Sequence, residues 1–200
     1  MVNISFSGGG FLNELTLQAT FGGLLHDIGE LARRAGLGNQ DEYFKSHFND
    51  PKRQEILACV QYHHEKALQA ASLPANHPAY ITCAADSIAA SIDRRGIESG
   101  NQEYDASQPL LSIFSHLNGE QPKQFVAPIQ PSSSVPFPVS AASAAKSDYE
   151  QLLRHFEQGL SHIGYGAEWL NALLALLEEC TSTVPASTYR AQSEDVSLYD

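Results

Sequence analysis

The sequence predicts an all-α helical bundle. Three observations carry that expectation. Apolar residues recur at helical spacing through most of the chain, cap and stop signals bracket those stretches, and half of the prolines gather in one segment. Phe11 to Ala35 is the first expected helix, with Leu12, Leu15, Phe21, Leu25, Ile28 and Leu31 along one stripe. Arg33 and Arg34 sit where the helix dipole favours cations, and Gly36 supplies the stop. Asp50 before Pro51 predicts the start of a second helix. It should run to about Ala71 with Ile56, Val60 and Leu68 inward. His77 and Pro78 open a third, to about Arg95, with Ile81, Ala84, Ala85, Ile88 and Ile92 inward. Pro122, Pro128, Pro131, Pro136 and Pro138 exclude long helices from their neighbourhood, so an irregular extended stretch is expected around 96–146. Ser147-Asp148-Tyr149-Glu150 reads as a capping box. It opens a helix carrying Leu152, Leu153, Phe156 and Leu160. Trp169 to Cys180 is a more apolar helix, and a polar tail follows. The expected division is a core with a surface-packed segment over 1–146, then a helical pair and tail over 147–200.

Composition narrows the class. At 200 residues and 42% hydrophobic, the chain can build its own core without staples. The longest apolar run, Leu173 to Leu177 with Ala172 before it, is far shorter than the ~20 residues that span a bilayer. No basic flank with an apolar stretch and a small-residue cleavage site opens the sequence, so no secretory signal is expected. Cys59, Cys83 and Cys180 are an odd set at scattered spacings, which points to free thiols, no zinc motif and a cytoplasmic location. A net charge of -11 excludes a cationic nucleic-acid cradle spread over the whole surface. It leaves room for a local site where metal ions supply the positive charge.

Three short stretches hold the residues that could carry chemistry. His26-Asp27 stands among Leu24, Leu25, Ile28 and Gly29, in the first expected helix. A carboxylate buried there requires a partner: a cation, an arginine or a metal. Gly22, Gly23 and Gly29 weaken that helix, by up to ~1 kcal/mol each relative to alanine, and suggest close packing beside His26. The plain structural alternative is a hydrogen-bonded His-Asp pair. His63-His64-Glu65 lies inside the second expected helix. Adjacent helical residues point ~100° apart, so at most one of the two histidines should face the same point as His26. Asp86 is a lone acid on a small-residue face, and its plain alternative is a salt bridge to Arg94 or Arg95. Together these give imidazole and carboxylate from three helices, the ligand set of divalent transition metals. A bridging carboxylate can hold two cations about 4 Å apart, the arrangement of phosphodiester cleavage. His47 is a possible further ligand, and His77 a weaker candidate. His116, His155 and His162 read as surface or packing residues.

Leu24-Leu25-His26-Asp27-Ile28-Gly29 resembles the signature of the HD phosphohydrolase superfamily. Further landmarks narrow the resemblance: Tyr62-His63-His64-Glu65, Ala85-Asp86-Ser87-Ile88-Ala89, Gln108 to Ser115, Val184 to Tyr189, and Asp195 to Asp200. In that order they look like the large subunit of type III-A CRISPR effector (Csm) complexes. The resemblance implies a circularly permuted HD-type bundle and a metal-dependent nuclease acting on single-stranded DNA. It also implies partners: the other subunits of the effector complex and its guide RNA. The family's large subunit is much longer and carries a Gly-Gly-Asp-Asp site that makes cyclic oligoadenylate. No such motif is present here, so the chain looks like an isolated HD domain.

Carried over residue by residue, His26 and Asp27 are the HD pair, catalytic and metal-binding. His63 or His64 and Asp86 are the remaining ligands, with His47 as a possible addition. Manganese is the expected ion, with nickel or cobalt as alternatives. One position departs from the pattern: Glu30 stands where the family usually has lysine. A glutamate there would weaken substrate binding, mark reduced activity, or simply face solvent. The competing function is a catalytically weak HD scaffold that serves subunit interaction. A third reading, hydrolysis of nucleotides, has no use for the landmarks outside the HD core.

Overall fold

The computed structural model describes residues 13–37, 43, 45, 53–93, 105–117, 119, 123–126, 129–131, 138–186 and 196–199. The expected cap at Asp50-Pro51, the candidate ligand His47, and Arg94 and Arg95 lie outside the described residues. The fold is mostly helical. No helix among the described residues is long and apolar enough to cross a membrane.

The first expected helix is two. Helix α1 (Glu14–Leu25) is capped by Asn13, whose side chain accepts from the Thr16 N–H at 2.8 Å. Helix α2 (Gly29–Arg34) follows after a tight turn at 26–28. The break has a local cause. His26 Nδ1 lies 2.7 Å from the Gly23 carbonyl oxygen, the acceptor that a continuing α-helix would offer to the Asp27 N–H. The turn tightens instead to three-residue bonds, Ile28 N–H to Leu25 O at 3.2 Å and Glu30 N–H to Asp27 O at 2.9 Å. Helix α2 ends as the sequence predicts, with Gly36 at φ +71°. The Gly36 N–H reaches Arg33 O and the Leu37 N–H reaches Ala32 O, both at 3.0 Å, a Schellman closure.

The second expected helix breaks the same way. Helices α3 (Gln54–Gln61) and α4 (Glu65–Ala70) flank residues 62–64. His63 Nδ1 lies 2.5 Å from the Val60 oxygen, which an unbroken helix would give to the His64 N–H. Helix α5 (Ala79–Asp93) starts behind His77, whose Nδ1 accepts from the Ala79 N–H at 3.1 Å. Its expected inner face is corrected. Ile81 and Ile88 are 59% and 67% exposed, and Ala84 and Ala85 are exposed too. Among the described side chains of α5, Ala79, Thr82 and Cys83 are buried, and that of Ile92 lies outside the described residues. This face is smaller and more polar, and it turns Asp86 toward α1 and away from solvent.

The 96–146 stretch holds a small antiparallel meander that periodicity did not announce. Strands β1 (Leu110–Leu111), β2 (Phe125–Val126) and β3 (Pro138–Val139) pair in that order, with helix α6 (Ile113–Leu117) between the first two. Leu110 faces Val126, and Phe125 faces Val139.

Helix α7 (Lys146–Leu160) corrects the expected capping box. Ser147 is already inside the helix, and the Asp148 carboxylate accepts from the Ala145 N–H at 2.7 Å. Alanine has no acceptor to complete the reciprocal half. A 3₁₀ turn (Ala167–Trp169) leads into helix α8 (Leu170–Thr181). The tail then folds back: the Leu198 N–H bonds Val184 O at 2.7 Å, and the Ala186 N–H bonds Val196 O at 2.8 Å.

One apolar core joins Leu25, Ile28 and Leu31 with Ile56, Phe156 and Leu173. A smaller one gathers Cys59, Leu68, Ala79 and Cys83. Where α1 crosses α3, a Cβ at Gly22 would strike the Cys59 Cβ. Close packing thus explains Gly22, whereas a Cβ at Gly23 would meet nothing within 4 Å. All three cysteines are buried free thiols.

Candidate functional site

The two helix breaks put two histidines side by side. The His26 and His63 rings stand 5.2 Å apart, edge to face. Each ring uses Nδ1 on a main-chain carbonyl three residues earlier, Gly23 for His26 and Val60 for His63. That fixes the ring orientation and directs Nε2 into the space between the helices. A backbone carbonyl on Nδ1 is a recurrent support for metal-binding histidines. His63 is 3% exposed, and its Nε2 has no hydrogen-bond partner. Burial pushes the His63 pKa down, and the neighbouring His64 and His26 push it further. The ring is therefore neutral, with a buried lone pair at Nε2.

His26 differs. Its Nε2 lies 3.1 Å from an Asp27 oxygen and 3.6 Å from an Asp86 oxygen. Burial disfavours its charge, but the hydrogen bonds to Asp27 and Asp86 outweigh this and raise its pKa to about 10. Burial pushes Asp27 up, while the His26 hydrogen bond and the three nearby imidazoles bring it below the usual carboxylate range. The His26 hydrogen bond likewise lowers Asp86. His64 is exposed, with Nδ1 3.8 Å from Asp86 and its ring 3.9 Å from that of His63. Both histidines of the pair thus reach the cluster, because the chain leaves the helix between them and the ~100° separation no longer applies.

A pH effect follows for the metal-free chain. The pKa of His26 is raised above its ordinary 6.5, so its contribution is complete below 6.5 and is lost as pH rises through about 10. With EDTA present, Tm should fall between about pH 7 and 10 by more in the native chain than in His26→Gln. Scanning calorimetry checks this.

The Glu30 departure has a structural answer. Its carboxylate takes Arg33 Nε at 2.7 Å, Arg33 Nη2 at 2.5 Å and Arg34 Nε at 3.0 Å. The Arg34 side chain is fully buried, and its guanidinium lies 5.7 Å from the Tyr149 ring centroid. Glu30 therefore spends its charge inside α2, tying that helix to α7. Glu30→Ala would leave Arg34 buried beside no carboxylate, at a cost of about 3 kcal/mol. Thermal unfolding should record a drop of roughly 6–12 °C.

Among the described residues, three further histidines pair away from this cluster. His77 pairs with Glu55 at 2.6 Å, His155 with Glu179 at 3.3 Å, and His162 Nδ1 with Gln158 O at 2.7 Å. Among the described residues, no three His, Cys, Asp or Glu groups already stand in an arrangement that could hold a metal ion. His26 Nε2 is engaged by both carboxylates.

Two cavities open on the cluster, and both have His26 and Asp86 in their walls. One, of about 310 Å³, lies toward α8 and the tail, with Leu174, Leu198 and Tyr199. The other, of about 450 Å³, lies between α1 and α5, with Ala19, Ile81 and Ala85. The tail residues were legible as landmarks, but nothing in their spacing placed them against His26. The carbonyls of Gly23 and Val60 carry no side-chain signal at all.

No protein-family model matches the chain. It is 33% identical over 205 aligned positions to a CRISPR system single-strand-specific deoxyribonuclease Cas10/Csm1 (subtype III-A) of Enterococcus italicus, covering 92% of this chain and 27% of that protein. The protein of that name from Mycobacterium tuberculosis is 29% identical, with 94% and 27% covered. The chain thus spans about a quarter of the length of the curated relatives it matches. Its fold matches a crystal structure of Csm1 from T. onnurineus with a TM-score of 0.65 at 20% identity, over 92% of this chain and 26% of that one. A Csm1–Csm4 subcomplex from the type III-A CRISPR-Csm interference complex matches at 0.61, again at 20% identity and with the same coverage. Across the aligned stretch, the chain is homologous to the Cas10/Csm1 proteins of subtype III-A.

Proposed function

We propose that the chain is a metal-dependent nuclease domain that cleaves single-stranded DNA within a type III-A CRISPR effector complex. The observation that carries this reading is the matched pair His26 and His63. Each is anchored through Nδ1 on the carbonyl three residues before it, and His63 keeps a buried, unpartnered Nε2 beside two carboxylates. An orphaned imidazole nitrogen is costly unless something binds it. The donor set fits a divalent transition metal, manganese first and nickel or cobalt as alternatives. His26, Asp27, His63, His64 and Asp86 would hold it. Such an ion supplies positive charge to a phosphodiester and eases deprotonation of water.

The chain's own residues have separate tasks. His63 offers a preset lone pair. Asp27, about half exposed, and Asp86, more enclosed, bring negative charge from the turn after α1 and from α5. His26 Nε2–H donates to Asp27 in the metal-free form, and that proton must leave before His26 can ligate. The substrate class is supported by relatives named as single-strand-specific deoxyribonucleases. The solved Csm1–Csm4 assemblies of this fold support work among partner subunits. Guide RNA would reach the complex through a longer chain. A cytoplasmic setting goes with that role.

One observation favours a second reading, an interaction scaffold with an idle site: no ready-made metal arrangement exists among the described residues. Calorimetric titration with manganese separates the two. The nuclease site binds at micromolar levels with proton release, whereas a scaffold binds none in that range.

A further inference from the structure

We propose that the two cavities flanking the His26–Asp86 contact are base subsites, each taking one nucleobase of a single strand on either side of the scissile phosphate. This rests on the nuclease reading above.

The cavities share a rim made of Gly23, Leu24, His26, Asp86 and Ala89, so the His26–Asp86 contact is the ridge between them. A phosphate cleaved at the ridge has a cavity on each side. Both walls are mostly apolar, with Asp27, Thr181 and Ser197 as further polar groups on the tail side. Toward the tail the apolar residues are Leu174, Leu177, Val196, Leu198 and Tyr199. Between α1 and α5 they are Ala19, Ile81 and Ala85, with Thr16 and Thr20.

Charge decides which part of a nucleotide these walls can take. Among the described residues, neither cavity is lined by lysine or arginine, and the whole chain carries -11. A phosphate backbone laid along such walls gains no ion pair and releases few counterions. The faces of bases gain apolar contact, and Tyr199 adds an aromatic face of the kind that stacks bases regardless of sequence. Small residues on the groove side, Gly23, Ala19, Ala85 and Ala89, leave a slot rather than a filled contact. Ile81 is 59% exposed there, an apolar side chain at the wall of an open groove. Only an unpaired strand can present bases to both sides, because a duplex keeps them stacked inside. The proposal therefore gives single-strand preference a physical origin in pocket walls, without basic residues.

The test is fluorescence anisotropy with the Asp27→Asn chain in EDTA. The probes are a labelled oligothymidine and a wholly abasic oligomer of equal length. The abasic strand should bind at least about tenfold more weakly, since each stacked base contributes that order of affinity. Oligothymidine affinity should fall shallowly with salt, with a log–log slope no steeper than about -1.5, or about two phosphates. Tyr199→Ala and Ala85→Leu should each weaken oligothymidine binding about fivefold or more. Equal binding of the two strands, or a steep salt slope, overturns the proposal without Tyr199→Ala or Ala85→Leu having to fold. Absence of binding to either strand also overturns it. In that case metal-dependent cleavage by the native chain would still stand for the nuclease reading, so the two failures are told apart.

Discussion

Asp27→Ala should remove at least ~100-fold of the metal-dependent cleavage of single-stranded DNA, equivalent to ~2.7 kcal/mol of barrier. Asp27 is the carboxylate nearest His26 Nε2, at 3.1 Å, and its side chain is 46% exposed. Exposure matters in two ways. A half-exposed carboxylate is open to substrate, and its loss leaves no large cavity. His26 keeps Asp86 as a partner at 3.6 Å. Tm in EDTA should therefore stay within a few degrees of the native chain. Cleavage assays and thermal scans on one preparation check both halves. A collapse of Tm together with activity would assign Asp27 to structure instead.

His63→Leu should separate stability from function. The native ring buries an Nε2 with no hydrogen-bond partner, which costs on the order of 1–3 kcal/mol. Leucine has similar bulk and no polar atom to strand. It gives up the bond to Val60 O, worth about 1 kcal/mol. The two effects nearly cancel, so metal-free stability should lie within about 1 kcal/mol of the native chain or above it. An ordinary buried large-to-small substitution would cost ~2–5 kcal/mol. Metal affinity should fall at least ~10–100-fold, the loss seen when even a supporting partner of a ligand is removed. Denaturant unfolding in EDTA and a manganese titration measure the two quantities. A destabilisation above ~2 kcal/mol with unchanged metal affinity would make His63 a packing residue.

The residues of the site were easier to read from the sequence than their geometry. His26-Asp27, His63-His64 and Asp86 stand out because charged and ligating groups rarely occupy apolar helical stripes. What the stripes concealed was the pair of breaks. Periodicity runs straight through residues 26–28 and 62–64, although His26 and Ile28 keep near-helical backbone while His64 is extended; in both places a histidine side chain bonds back to a carbonyl. Gly22, Gly23 and Gly29 pointed to close packing beside His26, which holds for Gly22 against Cys59, and not to a break. The inner face of α5 was misread for a related reason. Hydropathy selects Ile81 and Ile88, whereas the fold buries Thr82 and Cys83 and so carries Asp86 to His26. The three strands are two residues each, too short for alternation to register. Glu30 looked like a defect of the site when judged by position alone. Its meaning lies in Arg33 and Arg34 on the next turn of the same helix, with Arg34 against Tyr149 from a helix more than a hundred residues on.

In the proposed function, His26, Asp27, His63, His64 and Asp86 would hold the metal at a site that cuts single-stranded DNA. The most direct test is cleavage of a fluorescent single-stranded DNA by the native chain with manganese, nickel, cobalt or magnesium, beside Asp27→Ala and an EDTA control. Cleavage is expected with a transition metal, strongest with manganese, and abolished by EDTA and by the substitution. Cleavage undiminished in Asp27→Ala, or none with any metal from a chain that binds manganese nowhere, would contradict the proposed function.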